Sequence, residues 1–341
     1  MNVAVDARPL ASGDSVRGIG VYTRELLRAF KAIKKTVAVL DKGFDNADLA
    51  KFDLVHFTAF NPFIVSVPFK KPRGTKFALT IYDLIPLIYP SHYPPGIKGL
   101  VRLKINKSLI RKNVDAILTI SETSKKDICR FFGVNPKIVH VIYLAPRPIF
   151  KKMEIKKRYS LPDRFVLYVG DVNYNKNIPV LLEACKLSDI TLVMAGKQAY
   201  DIESLDLDHA ELKHLKGLDW SNTNRLGFVQ DNDLAEIYNL ASVYVQPSLY
   251  EGFGLPVLEA FASGTPVVAA KTQSLVEIAD GSALFADSKS PEDFAEKIKS
   301  LINNAKLAKE LTNKGLTKVK GFTWEKTAKE TYDLYENLTV K

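Results

Sequence analysis

Cysteine is scarce in this chain: Cys129 and Cys185 are the two among 341 residues. They fall in different halves, with no CxxC pair and no His/Cys spacing suited to zinc. A disulfide framework and a structural metal site are therefore excluded, and two reduced thiols remain. No Asp-x-Asp follows a predicted strand to argue for a catalytic metal. Apolar runs long enough to span a bilayer are missing too. The opening MNVAVDARPL enters a strand at once and lacks the layout of a secretory signal. Repeats and low-complexity tracts are absent. These absences together argue for a cytoplasmic globular protein. What is present is ordinary for that class, 46% hydrophobic and 25% charged residues, in a chain long enough for two domains with a core each.

Charge is unevenly placed. The net charge is +10, yet residues 1–150 carry 24 Lys and Arg against 11 Asp and Glu, while residues 151–341 carry 24 against 27. A basic first half suits an anionic membrane surface, nucleic acid or an acidic substrate, and equally a lysine-rich solvated face. No nucleic-acid-binding motif accompanies the charge, so nucleic acid is not expected as a partner. Lys98, Arg102, Lys104, Lys107, Arg111 and Lys112 cluster in one helical stretch, interleaved with Leu100, Leu103, Ile105 and Leu109. That pattern predicts a weak, salt-sensitive contact with an anionic membrane.

Short apolar runs alternate with helical patterns throughout. In the first half Val3–Val5, Val37–Leu40, Leu54–Phe57, Phe77–Ile81, Ala116–Ile120 and Ile138–Ile142 read as strands; in the second, Phe165–Val169, Thr191–Met194, Val243–Val245 and Val267–Ala269 do. Strands alternating with helices in both halves predict an α/β protein of two doubly wound, Rossmann-like parallel sheets. A boundary is expected within 148–163, with the first domain taken to end at 150, where Pro148 and the charged run Lys151-Lys152-Met153-Glu154 precede Leu161-Pro162-Asp163. A helix capped by Thr323 closes the chain. His56, at a strand end, reads as a hydrogen-bonded structural histidine.

The densest signal lies between Gln246 and Ala270, QPSLYEGFGLPVLEAFASGTPVVAA. A strand, a glycine loop, a helix opened by Pro256 and a second strand form a βαβ unit with an anion-friendly mouth. Glu251 lies on the loop and Glu259 in the first turn of the helix. Carboxylates beside a phosphate site do not bind phosphate; they suit the hydroxyls of a nucleotide sugar. Two further loops suit phosphate. Gly170 ends a strand, and Lys176 opens the following helix with a cation. Arg17-Gly18-Ile19-Gly20 lies between the first strand and a helix over Tyr22–Ile33, where Gly18 and Gly20 allow close backbone approach.

The run EGFGLPVLEAFASGTPVV, with its E-x7-E pair at Glu251 and Glu259, resembles retaining glycosyltransferases of the GT-B fold, specifically glycosyltransferase family 4. GIGVYTREL and the Gly170–Lys176 loop are similar to that family's phosphate-side loops, and the likeness runs from Gly18 to Trp324. The resemblance implies two Rossmann-like domains facing across a cleft. Residues 1–150 would form the acceptor side, 151–322 the donor-binding domain, and 323–341 a helix returning to the first. It implies that Glu251 faces the transferred sugar, that Glu259 binds the ribose, that Lys176 binds the donor's phosphates, and that the reaction needs no metal or other cofactor.

Gly170 and the backbone of Gly252, Phe253, Gly254 and Leu255 would line the donor, and Phe228 and Val229 would meet its base through their backbone. Tyr82-Asp83 stands where many relatives have His-Asp. A phenol can donate a hydrogen bond but cannot act as a histidine does at neutral pH, so Tyr82 is open between a substrate contact and an aromatic packed at a strand end. Asp83 would fix the loop. The expected activity is front-face transfer of a hexose, mannose first, from a GDP- or UDP-sugar to a glycan or lipid-linked acceptor, at the inner face of the membrane. A non-catalytic nucleotide-sugar binder and a GT-B epimerase or phosphorylase are the other readings.

Overall fold

The structure, a computed structural model, describes residues 1–11, 18–42, 46–155 and 159–340. Among these residues twelve strands form two sheets of six, and every pairing is parallel. The first sheet holds β1 (Val3–Asp6), β2 (Ala38–Leu40), β3 (Leu54–Phe57), β4 (Lys76–Thr80), β5 (Ala116–Thr119) and β6 (Val139–Val141), in the order β2-β1-β3-β4-β5-β6. The second holds β7 (Phe165–Val169), β8 (Thr191–Ala195), β9 (Thr223–Gly227), β10 (Val243–Gln246), β11 (Val267–Ala270) and β12 (Leu284–Ala286), in the order β12-β11-β10-β7-β8-β9. Strands β1, β3, β5, β10 and β11 are buried along their whole length. That is why they read as continuous apolar runs rather than alternating ones.

By packing, the chain forms two units: Met1–Pro90 with Pro94–Leu144 and Phe322–Lys341, and Ser91–Tyr93 with Ala145–Gly321. The change of unit thus comes after Leu144, a few residues before the expected 150. The closing helix Trp324–Thr339 belongs to the first unit, where Thr323 caps it by accepting from the Lys326 amide. Its ring Tyr335 packs 5.9 Å from Phe30, and Thr327 Oγ1 donates to the Tyr143 carbonyl at 2.7 Å. His56 is fully buried in this unit, with Nε2 2.7 Å from Thr80 Oγ1 and Nδ1 on the Tyr335 hydroxyl. Burial lowers its pKa to about 3, so it is the neutral structural histidine expected.

Three differences from the sequence reading have plain causes. Strand β9, TNRLG, carries no apolar run because it is a half-buried edge strand, and β12 is a three-residue edge. The first long helix spans Gly18–Ala32 rather than starting at Tyr22, so Gly18 and Gly20 form its first turn. Glycines read as loop by propensity, but the amides of a first turn need no internal partner, which tolerates them there. Glu259 is the fifth residue of the Leu255–Ser263 helix, one residue deeper than its predicted place because the helix begins at Leu255 rather than Pro256.

Candidate active site

In the second sheet the chain order reverses between β7 and β10, which are neighbours. Loops leaving the carboxyl ends of such strands diverge and open a crevice, the usual ligand site of an open α/β sheet. Lys176 follows β7 and Glu251 follows β10, so the fold brings together two side chains 75 residues apart. Among the described residues three donors converge on Glu251 Oε1: Lys176 Nζ at 2.7 Å, Gln246 Nε2 at 2.8 Å and Ser248 Oγ at 2.6 Å. Tyr244 donates in turn to Gln246 Oε1. The carboxylate is 8% exposed, so its charge is compensated by a cation and two neutral donors rather than by water.

The lysine loop is tied to the glutamate loop by backbone bonds. Asn175 donates through Nδ2 to the Tyr250 carbonyl at 3.0 Å, and its own carbonyl accepts from the Leu249 amide at 2.8 Å. Its Oδ1 accepts from the Tyr93 hydroxyl at 2.8 Å. Asn177 donates to the carbonyls of Pro247 at 2.9 Å and Ser288 at 2.7 Å. Gly254 caps the Leu255–Ser263 helix at φ 110, where an added Cβ would lie 2.6 Å from Leu275 Cδ2. Only glycine fits that turn. It leaves the first-turn amides of the helix beside the glutamate loop, where an anion would be favoured.

Glu259 is separate in character. It is 4% exposed, and it accepts from the Tyr238 hydroxyl at 3.2 Å and from Arg147 Nη2 at 3.4 Å. Burial raises its carboxyl to about pKa 7 against the opposing pull of Arg147 and Tyr238.

The first unit offers its own set of groups at the carboxyl ends of β1, β3 and β4. The Arg8 guanidinium grips buried Asp6 with hydrogen bonds of 2.9 and 2.7 Å, and its amide adds a third at 3.1 Å. The Tyr82 hydroxyl donates to the Thr58 carbonyl at 2.7 Å, and its ring meets Tyr22 edge-on at 5.3 Å. Asp83 Oδ1 accepts from the Ile85 amide at 3.1 Å.

Comparison with known proteins agrees with this layout. Residues 14–145 match the description Glycosyltransferase Family 4, and residues 151–318 match Glycosyl transferases group 1. The chain belongs to glycosyltransferase family 4. This glycosyltransferase is 29% identical over 279 residues to O-antigen chain mannosyltransferase B of Escherichia coli, covering 78% of this chain and 71% of that one. It is 27% identical over 292 residues to the serotype-specific mannosyltransferase WbdA of Escherichia coli, covering 81% of this chain but only 36% of that longer protein. Among solved structures it resembles sucrose-phosphate synthase from Thermosynechococcus elongatus, with a TM-score of 0.72 at 19% identity over 99% of both chains. It also resembles Anabaena HepE in complex with UDP and glucose, with a TM-score of 0.69 at 14% identity, over 99% of this chain and 100% of that one. These likenesses establish the GT-B fold.

Within the glycosyltransferase, the predicted donor residues other than Gly18 and Gly20 lie in the second unit, after the ends of its strands or at the helix that follows. Gly170 directly follows β7 at φ 147, and Gly252, Phe253 and Gly254 are buried in the glutamate loop before Leu255. Phe228 follows β9 with its ring 64% exposed, beside half-buried Val229. Gly18, Gly20, Tyr82 and Asp83 lie in the first unit, and Arg17 lies outside the described residues. Asp83 bonds the Ile85 amide within its own loop. Tyr82 has committed its proton to a backbone carbonyl, which favours the packing role over proton donation to a substrate.

Sequence reasoning overlooked Gln246, Ser248, Tyr238, Asn175 and Arg147. The first two stand in the QPSLYEG run itself, where polar residues between a buried strand and a buried carboxylate were the available signal. Arg147 gave none, because 112 residues separate it from the carboxylate it meets.

Proposed function

We propose that the chain transfers a hexose, mannose first, from a GDP- or UDP-sugar to a glycan or lipid-linked acceptor with retention at the anomeric carbon. The observation that carries this reading is the Lys176–Glu251 ion pair at the point where strand order reverses, with Glu259 eight residues further on. Lys176 and the amides of Phe253, Gly254 and Leu255 would take the diphosphate, Glu251 the hexose hydroxyls and Glu259 the ribose. Among the described residues three side-chain donors bind Glu251 Oε1, and Oε2 would accept from a sugar hydroxyl. In a front-face transfer the departing diphosphate takes up the acceptor's proton. The protein contributes positioning and positive charge at the leaving group, and the proposed chemistry calls on no metal. The mannosyltransferase relatives favour mannose and therefore GDP; the UDP bound to HepE keeps uridine donors in the test.

A thermal-shift panel of nucleoside diphosphates and nucleotide sugars tests the donor assignment. A ligand at about 100 times its dissociation constant stabilises the fold by roughly 2.7 kcal/mol, a shift that melting resolves. GDP-mannose and GDP are expected to raise the melting temperature most. If no nucleoside diphosphate does so at millimolar concentration, the donor site is misassigned.

A further inference from the structure

Arg147 stands just after the chain enters the second unit and belongs to none of the sequence motifs. Its guanidinium is 15% exposed and spans two carboxylates: Nη1 lies 2.6 Å from Asp231 Oδ1, and Nη2 lies 3.4 Å from Glu259 Oε1. Its plane lies over the Phe150 ring, 4.8 Å from the centroid. Phe150 in turn packs edge-on against Tyr238 at 5.4 Å. Tyr238 occupies the other oxygen of Glu259, and Thr265 Oγ1 holds the Tyr238 carbonyl at 2.5 Å. Each oxygen of the buried carboxylate thus receives one donor, from two different elements.

A buried carboxylate keeps its charge only if a partner compensates the lost hydration. The groups facing Glu259 are Arg147, Tyr238, Asp231 and Tyr244. Arg147 alone among them is a cation, and Asp231 opposes it. The charge of Glu259 therefore depends on a residue that lies outside every motif of the chain. We propose that Arg147 is a positioning residue for donor binding, fixing the orientation and charge of Glu259 so that it can accept the hydroxyls of the donor's ribose. The proposal rests on the reading of Glu259 as the ribose carboxylate.

Hydroxyls donate to a carboxylate, so donor binding selects the ionised form of Glu259. Burial holds that carboxyl near pKa 7, and Arg147 pulls it down. Removing the cation moves ionisation upward, and affinity at neutral pH falls with it. One unit of displacement is about a tenfold change at a pH below both values.

The experiment measures the affinity of the full-length protein for GDP and for UDP from pH 6 to pH 9, in the wild type, R147M, R147K and E259Q. The ligand's own titration is common to all four. For a displacement of one unit, R147M is expected to bind ~10-fold more weakly at pH 6 and ~5-fold more weakly at pH 7, and to approach the wild type at pH 9. R147K keeps the charge but cannot reach both carboxylates in one plane, so its rise falls between the two; it carries the test if R147M does not fold. E259Q is expected to bind weakly and to lose the excess pH dependence. An R147M or R147K profile that superimposes on the wild type, or lies below it by the same factor at every pH, overturns the proposal while leaving the ribose assignment standing. Unchanged affinity in E259Q instead overturns the ribose assignment itself.

Discussion

Burial moves the two ionisable side chains at the centre of each unit in opposite directions on the stability scale. His56, lowered to about 3, takes up its proton later than it would in the unfolded chain. Its contribution is complete above about pH 6.5 and is lost as pH falls from there toward 3. Glu259, raised to about 7, keeps its proton longer than the unfolded chain does. Its effect is a loss of stability as pH rises from about 4.5 to 7, up to about 3 kcal/mol at ~1.4 kcal/mol per unit. E259Q removes that loss. Ligand-free E259Q is expected to melt at or above the wild type at pH 8, although it binds donor nucleotide more weakly. Melting curves of the two proteins at pH 5 and pH 8 check this; a wild type that gains on E259Q as pH rises contradicts it. Glu251 has a different task, held by Lys176, Gln246 and Ser248 beside the proposed sugar position. E251A is therefore expected to abolish transfer while changing nucleoside diphosphate affinity less than ~3-fold, whereas E259A weakens that affinity by ~10-fold or more. Equal effects of both substitutions on nucleotide affinity would sink the division of roles.

Elements differ in how clearly the sequence announces them, and the reason is burial. Strands covered on both faces, such as β3 and β10, write themselves as unbroken apolar runs. Edge strand β9 has half-buried Thr223, Asn224 and Arg225, so neither period nor propensity marks it. The glutamate loop was legible because glycine, proline and carboxylate each have a local reason for their place. The Arg147–Glu259 contact was not, because it is made by tertiary packing alone. Gly254 tests how far the loop depends on its turn. At φ 110 and with Leu275 Cδ2 2.6 Å from the place of a Cβ, G254A combines backbone strain with a clash. Gly281, at φ 73 with nothing within 4 Å, has the strain alone. G254A should destabilise by about 2–4 kcal/mol and G281A by about 1 kcal/mol in denaturant unfolding. G254A should also lose nucleotide affinity, since the helix start would shift. Equal losses of stability in the two variants would mean that the contact with Leu275 is unimportant.

At the scale of the whole molecule the charge asymmetry acquires a location. The Gly96–Asn113 helix of the first unit exposes Ile97, Leu100 and Val101, at 84%, 50% and 52%, near its start. Towards its end Lys104, Lys107, Ser108, Arg111 and Lys112 line an open hollow of about 460 Å³. A second hollow of about 320 Å³ shares Lys112 and adds Lys71, Arg73 and Lys76. Asp115 pairs with Lys71 at 2.5 Å and lies 3.7 Å from Lys76, which leaves the helix's own cations to define the field. Among the described residues no helix is long and apolar enough to cross a membrane. Exposed apolar residues followed by cations on one helix suit a shallow contact with an anionic lipid surface, which is where a lipid-linked acceptor would be presented. Each basic residue near such a surface adds about 1 kcal/mol, and the attraction fades within a Debye length of about 8 Å at physiological salt. The protein is expected to co-sediment with vesicles containing anionic lipid at low salt, less at physiological salt, and hardly at all with neutral vesicles. Replacing Lys104, Lys107 and Lys112 by Gln should remove the dependence on lipid charge. Replacing Ile97, Leu100 and Val101 by Ser should weaken binding equally at both salt concentrations, because apolar insertion is not screened. Sedimentation that ignores lipid charge, or that survives the Gln substitutions unchanged, would make the basic half a solvated face and place the acceptor's recognition elsewhere.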